Sequence, residues 1–222
     1  MTFEERPQMR TLYRVDSSIQ GDRSVTREIA DTFERAWRSA VAAPVVHRRD
    51  LLTTPLSPAT WIDALTARDT AERTHAQQYA VDLAAELADE ILAADAVVIG
   101  APLYNWGPSG HIKCWIDMLW SDPRFAPRTY PLTGKPIALV VSRGGGASPG
   151  APQEGWDHSA PYLLRTFGPE VFGGDVTLIE TELTLADHSP AMAHLREQAA
   201  ELRTQSHALA ERAGAELAGS AA

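Results

Sequence analysis

The run Ala96-Val97-Val98-Ile99-Gly100-Ala101 constrains this chain more than any other feature. It carries no polar residue on either face, so as a strand it must be covered from both sides. Such a strand belongs in the middle of a parallel sheet, and parallel neighbours need crossovers, usually helical, between them. The rest of the chain supplies both. Thr11–Asp16 reads as a first strand, Val45–Leu52 as a second, and Ile137–Val141 and Val176–Leu183 as the fourth and fifth. Between Ser24 and Ala40, Ile29, Ala30, Phe33, Ala36 and Trp37 recur on one helical face, with Ser24 as the N-cap. A polar loop with Pro55 and Pro58 follows the second strand, and Thr70–Ala94 then reads as one long alanine-rich helix. His111–Trp120 and Asp157–Phe167 read as two more, and a last amphipathic helix starts at Pro190.

This alternation predicts an α/β fold: a doubly wound five-stranded parallel sheet, order 2-1-3-4-5, with helices on both faces. The 222 residues suit a single domain, with residues 1–9 as a loose N-terminal extension and about 212–222 as a frayed tail. Acidic residues outnumber basic ones 29 to 20, a formal charge of -9, which works against binding a nucleic-acid backbone. The single cysteine, Cys114, excludes an internal disulfide and any multi-cysteine metal site, and the seven histidines show no metal-binding spacing. The longest apolar stretch, Ile91–Leu103, is interrupted by Asp95 and is too short to span a bilayer. The N-terminus has acids where a signal peptide has bases. These features predict a soluble cytoplasmic protein with no membrane, nucleic-acid or metal partner.

In a sheet of this order, ligands sit beyond the C-terminal strand ends, beside the first and third strands. The loops after strands one, three and four should then carry unusual chemistry, and all three do. The first runs Ser17-Ser18-Ile19-Gln20-Gly21-Asp22-Arg23-Ser24-Val25-Thr26 straight into a helix. Hydroxyls and free N–H groups there suit a dianionic phosphate, although taken alone a polar turn with an N-cap explains the same residues. It is neither a Walker loop nor a GxGxxG fingerprint. The second, Pro102-Leu103-Tyr104-Asn105-Trp106-Gly107-Pro108, sets two aromatics and an amide where they can lie along a planar heterocycle. The third, Ser142-Arg143-Gly144-Gly145-Gly146, lets the backbone approach something flat or charged, a hinge being the alternative.

The segments APLYNWGPSGHIKCWID and VVSRGGG, with SSIQGDRSVT at the front, resemble the FMN-dependent NADH-azoreductases, a branch of the flavodoxin-like NAD(P)H:quinone oxidoreductases. The likeness spans roughly residues 12–210. It implies bound FMN, with NADH or NADPH as donor and two electrons passed by a ping-pong mechanism to a quinone, azo compound or related planar acceptor. It also implies a homodimer with the flavin sites at the interface. Ser18, Ser24, Val25 and Thr26 match the phosphate contacts of that family. Pro102, Leu103, Tyr104, Asn105 and Trp106 match the segment along the ring, and Ser142, Arg143, Gly144 and Gly145 the loop at its edge. Gly144 and Gly145 N–H groups would donate to the ring carbonyls.

The chain departs from the family pattern after Asp117 and again at residues 146–158. Phe125 or Tyr130 is then the candidate to cover the flavin, and Trp106 to line the substrate pocket. His158 is a candidate proton donor or a helix-start histidine with no role. Cys114 reads as a small core residue, and Arg143 either pairs with a cofactor phosphate or points to solvent. The competing functions are a flavodoxin-type FMN electron carrier without its own small substrate, and a flavin-free regulatory domain.

Overall fold

A computed structural model describes residues 9–220. The elements are β1 (Arg10–Asp16), α1 (Val25–Ala40), β2 (Pro44–Asp50), α2 (Pro58–Ala67), α3 (His75–Ala93), β3 (Ala96–Gly100), β4 (Leu103–Tyr104), β5 (Gly107–Pro108), α4 (Gly110–Ser121), β6 (Pro136–Ser142), α5 (Ala160–Phe167), β7 (Asp175–Thr181) and α6 (Arg196–Ser220). Five strands form one sheet in the order β2-β1-β3-β6-β7, and every pairing in it is parallel. The short strands β4 and β5 form a separate antiparallel hairpin, where the sequence predicts only a loop.

Strand alternation sorts the core into two clusters. Leu12, Ala96, Val98, Ala138 and Val140 pack with Phe33 and Trp37 of α1 and Ala210 and Ala213 of α6. Their chain neighbours Tyr13, Val97, Ile99, Ile137 and Leu139 pack with Leu87 of α3, Trp115 and Leu119 of α4 and Phe167 of α5. Adjacent strand residues point to opposite faces, so a run apolar at every position feeds both clusters. Cys114 is buried and free, but it belongs to neither cluster.

Three sequence readings need correction. The loop with Pro55 and Pro58 contains a helix: Pro58 opens α2, and the Ser57 side chain accepts from Ala59 N–H at 3.1 Å. Proline suits that position because its missing N–H has no intrahelical partner anyway. The long helix from Thr70 instead starts at His75, where Thr74 and Gln77 form a reciprocal capping box with N–H···O distances of 3.2 and 3.0 Å. The tail from residue 212 is helical as far as Ser220, with Ala213, Leu217 and Ala218 buried. The expected N-terminal extension lies outside the described residues, apart from Met9, which is exposed.

A charged network lies under the first loop. Arg14 is buried and bonds Asp16, Asp31 and Glu34, while Glu34 also receives Arg38 and Arg48. Burial alone would raise the Glu34 carboxyl, but Arg48, Arg38 and Arg14 outweigh it and hold it below its ordinary value. Asp50 is lowered too, with burial offset by Arg27. A depressed carboxylate adds stability above its unfolded pKa, and that stability is lost as pH falls through the folded value. The urea midpoint is therefore expected to hold from about pH 7 to about pH 5 and to drop below about pH 4. Glu34→Gln should shrink that drop, as equilibrium denaturation at both ends of the range would show.

Candidate functional site

β1, β3 and β6 are neighbours in the sheet, so the loops at their C-terminal ends meet. The Ser17 N–H and hydroxyl both donate to Gly100 O, at 3.0 and 2.9 Å, which ties the first loop to the end of β3. Ala101 N–H donates to Val140 O at 2.8 Å and ties β3 to β6. Ser18, Ser24, Val25, Pro102, Leu103, Tyr104, Ser142 and Gly144 line one cavity of about 170 Å3, completed by Gln20, Thr184 and Leu185. On the far side of Tyr104 a wider cleft of about 650 Å3 is lined by Asn105, Leu56, Pro58, His111 and Cys114, among others.

The first loop delivers a helix start into the small cavity. Gly21, at φ +54°, turns the chain into a short 3-10 turn, and Ser24 then caps α1. Ser24 Oγ accepts from Arg27 N–H at 3.3 Å and lies 3.0 Å from Thr26 Oγ1. Glu28 N–H donates to Ser24 O. Of the first four N–H groups of the helix, those of Val25 and Thr26 are left without an acceptor among the described residues. Ser18 Oγ lies 3.3 Å from the Tyr104 hydroxyl, which also accepts from Ile19 N–H at 3.2 Å. Of the two arginines near this loop, Arg27 is already committed to Asp50 and Asp16, and Arg23 is exposed. A phosphate here would meet hydroxyls, backbone donors and the positive end of a helix.

The second loop is the β4–β5 hairpin. Its two turn residues, Asn105 and Trp106, have φ of +48° and +62°, the left-handed pair of a type I′ turn. Asparagine tolerates that conformation, whereas for tryptophan it costs roughly 1–2 kcal/mol. Trp106 is held there by His158 N–H, which donates to its carbonyl at 2.8 Å, and by Trp156, whose ring lies at 5.7 Å and 70°. In the third loop the Gly144 and Gly145 carbonyls accept from Leu185 and Leu183, and their N–H groups have no partner among the described residues.

Residues 9–206 match the family described as having a flavodoxin-like fold. This chain belongs to that family. Among the relatives of this flavodoxin-like chain, an FMN-dependent NADH:quinone oxidoreductase of Frankia casuarinae is 36% identical over 186 residues, covering 82% of this chain and 88% of that protein. One of the same name from Kineococcus radiotolerans is 38% identical, over 85% and 90%. Among solved structures, an FMN-dependent NADH-azoreductase of Bacillus anthracis in complex with FMN superposes with a TM-score of 0.74 at 17% identity, covering 95% of this chain and all of that one (100%). At that identity the likeness concerns the fold.

Several expected residues stand elsewhere in this flavodoxin-like chain. Arg143 does not point to solvent. Its guanidinium is buried among Asp157, Glu180 and Glu182. Burial works against its charge, but Glu180 and Asp157 outweigh it and raise its pKa. Phe125 covers nothing in the cleft, because it is wholly buried and packs edge-on to Phe172 at 4.9 Å. Tyr130 sits against Gly173, just before β7 begins, at the opposite end of the sheet from the three loops. Within one chain neither residue covers the cleft. The His158 side chain is exposed, and its backbone N–H makes the recorded contact. Thr184 and Leu185, which complete the small cavity, were missed, since nothing local in the sequence marks them.

Proposed function

We propose that this chain is an FMN-dependent NAD(P)H oxidoreductase that passes two electrons from NADH or NADPH to a quinone, an azo compound or a related planar acceptor. The carrying observation is the pair of unpartnered N–H groups at Val25 and Thr26 beside the Ser18 and Ser24 hydroxyls. This donor set fits a dianionic phosphate without needing a cation. The names of the relatives support an enzyme over the electron-carrier alternative.

Ser18, Ser24, Val25 and Thr26 would hold the phosphate. Leu103, Tyr104, Asn105 and Trp106 would lie along the ring, beyond the small cavity where the surface opens into the wider cleft. Gly144 and Gly145 would offer their free N–H groups at its edge. Bound FMN supplies the two-electron chemistry, which the side chains of this site lack. The chain's part is to bind, orient and leave one open cleft for donor and acceptor in turn, which accords with ping-pong kinetics.

We read the large sheet, counting only its own strands, as the doubly wound order 2-1-3-4-5 with helices on both faces. The parallel registers and the two core clusters support this. We also read the chain as a cytoplasmic homodimer. Ile62, Leu65 and Tyr79 stand exposed on α2 and α3, in the quarter of the molecule where Leu56 and Pro58 line the cleft, and a second copy would cover them. Among the described residues no helix is long and apolar enough to cross a membrane.

An absorption spectrum of the purified protein tests the main reading. Flavin bands that NADH bleaches anaerobically and menadione restores are expected. Bands that no nicotinamide bleaches would favour the carrier, and a protein that stays colourless with FMN would end the proposal. For Asn105 the informative change is to glycine, which adopts φ +48° freely, because alanine there would add backbone strain. Asn105→Gly is expected to keep its thermal stability and to bind FMN several-fold to about tenfold more weakly by fluorescence titration.

A further inference from the structure

Residues 147–158 form a loop that the flavin-site reading does not use. It is unusually well anchored. Glu182 Oε2 accepts from Ala147 N–H at 3.1 Å and from the Ser148 hydroxyl at 2.9 Å, which holds its start. Asp157 Oδ1 accepts from Ser159 and Ala160 N–H at 2.7 and 3.0 Å, which holds its end. One buried guanidinium joins the two anchors: Arg143 Nε donates to Asp157 Oδ2 at 2.5 Å and Nη1 to Glu182 Oε1 at 3.3 Å. In between, Gln153 lies against Gly145, where a Cβ would stand 2.5 Å from its Oε1. The far end is fixed to the hairpin through His158 N–H and Trp106 O.

All this fixation leaves a large indole in solvent. Trp156 is 51% exposed and Trp106 46%. Their planes meet at 70°, so together they form an apolar corner at the turn of the hairpin, one wall of it Trp106, which follows Asn105 in the segment expected to lie along the ring. A flat molecule can lie on one indole and present its edge to the other, the two favoured aromatic geometries. A fused two-ring molecule is long enough to touch both walls, and a single ring touches one.

We propose that Trp156 is a specificity-determining residue that favours fused-ring acceptors, and that Arg143 is its positioning residue, acting through the loop. The proposal rests on the oxidoreductase reading above. The test uses the FMN-loaded protein with menadione, which has two fused rings, and para-benzoquinone, which has one. Trp156→Ala is expected to raise KM for menadione about tenfold while changing that for para-benzoquinone less than about twofold. FMN affinity, read by titration, is the control.

Arg143→Met should reproduce the same selective change and weaken the indole exciton signal in circular dichroism, and Arg143→Lys should restore part of both. If Arg143→Met does not fold, Asp157→Asn probes the same anchor. Binding of each quinone, followed by tryptophan quenching without turnover, gives a second reading. Equal changes for the two quinones, or none, in both kinetics and binding overturn the proposal. A wild-type protein that binds FMN and both quinones but oxidises no nicotinamide instead sinks the enzyme reading, and the binding comparison still decides the role of Trp156.

Discussion

Ser24→Asp is expected to leave the fold intact and to weaken FMN binding by at least about a hundredfold. Ser24 is the N-cap of α1, and aspartate caps a helix about as well as serine. A carboxylate at that end also gains from the helix dipole, so urea denaturation should show little loss. The site fares differently. The new carboxylate would sit beside the open N–H groups of Val25 and Thr26 and compete for them. It would also face a phosphate of like charge. Two unit charges about 4 Å apart repel by about 1–4 kcal/mol between bulk water and a protein surface, and the phosphate carries nearly two. Ser24→Asn keeps the cap and adds no charge, so its loss should stay under about tenfold. Fluorescence titration separates the outcomes. If the aspartate variant bound FMN like the wild type, the phosphate would not lie at this helix end.

The second large effect is expected at Gly214. A Cβ there would stand 2.4 Å from Phe33 O, 2.9 Å from Ala36 Cβ and 3.1 Å from Trp37 N. Two of these are backbone atoms of α1, so no side-chain rotation relieves the clash. Alanine gains roughly 0.5–1 kcal/mol in helix preference but overpacks a tight contact by about 1–3 kcal/mol. Gly214→Ala should therefore lower the urea midpoint modestly, and Gly214→Val should cost about 3 kcal/mol or more. Because α1 presents the cradle N–H groups from its first turn, FMN affinity should fall along with stability. A more stable alanine variant would mean that α1 and α6 have room to spare.

Gly214 also shows where sequence reasoning stops. The C-terminal stretch is rich in alanine and carries charges all round, so its pattern looks like a fraying tail. The deciding fact, a close approach to a helix some 180 residues earlier in the chain, leaves no local trace. The central strands were legible because a strand buried on both faces must be apolar at every position. α1 was legible because Ser24 and the Ile29-to-Trp37 face are both local. α2 was hidden by reading Pro58 as a breaker when, after Ser57, it is a start signal. In the site, the loops that converge were predictable from strand order alone. Arg143 was misjudged because its partners lie at positions 157, 180 and 182, and only the fold brings them together. Phe125 and Tyr130 were proposed for their chemistry, and the fold placed one in the core and the other at the wrong end of the sheet.

The edge strand β2 has a consequence for the nascent chain. Successive residues Arg48 and Arg49 point to opposite sides, the first reaching Glu34 on α1 and the second Glu86 and Glu90 on α3. As synthesis proceeds from the N-terminus, Arg48 can find its partner at once, whereas Arg49 must wait some forty residues for its own. Throughout that interval one face of the edge strand bears an unneutralised cation, and charge on an edge strand is a device that discourages edge-to-edge pairing.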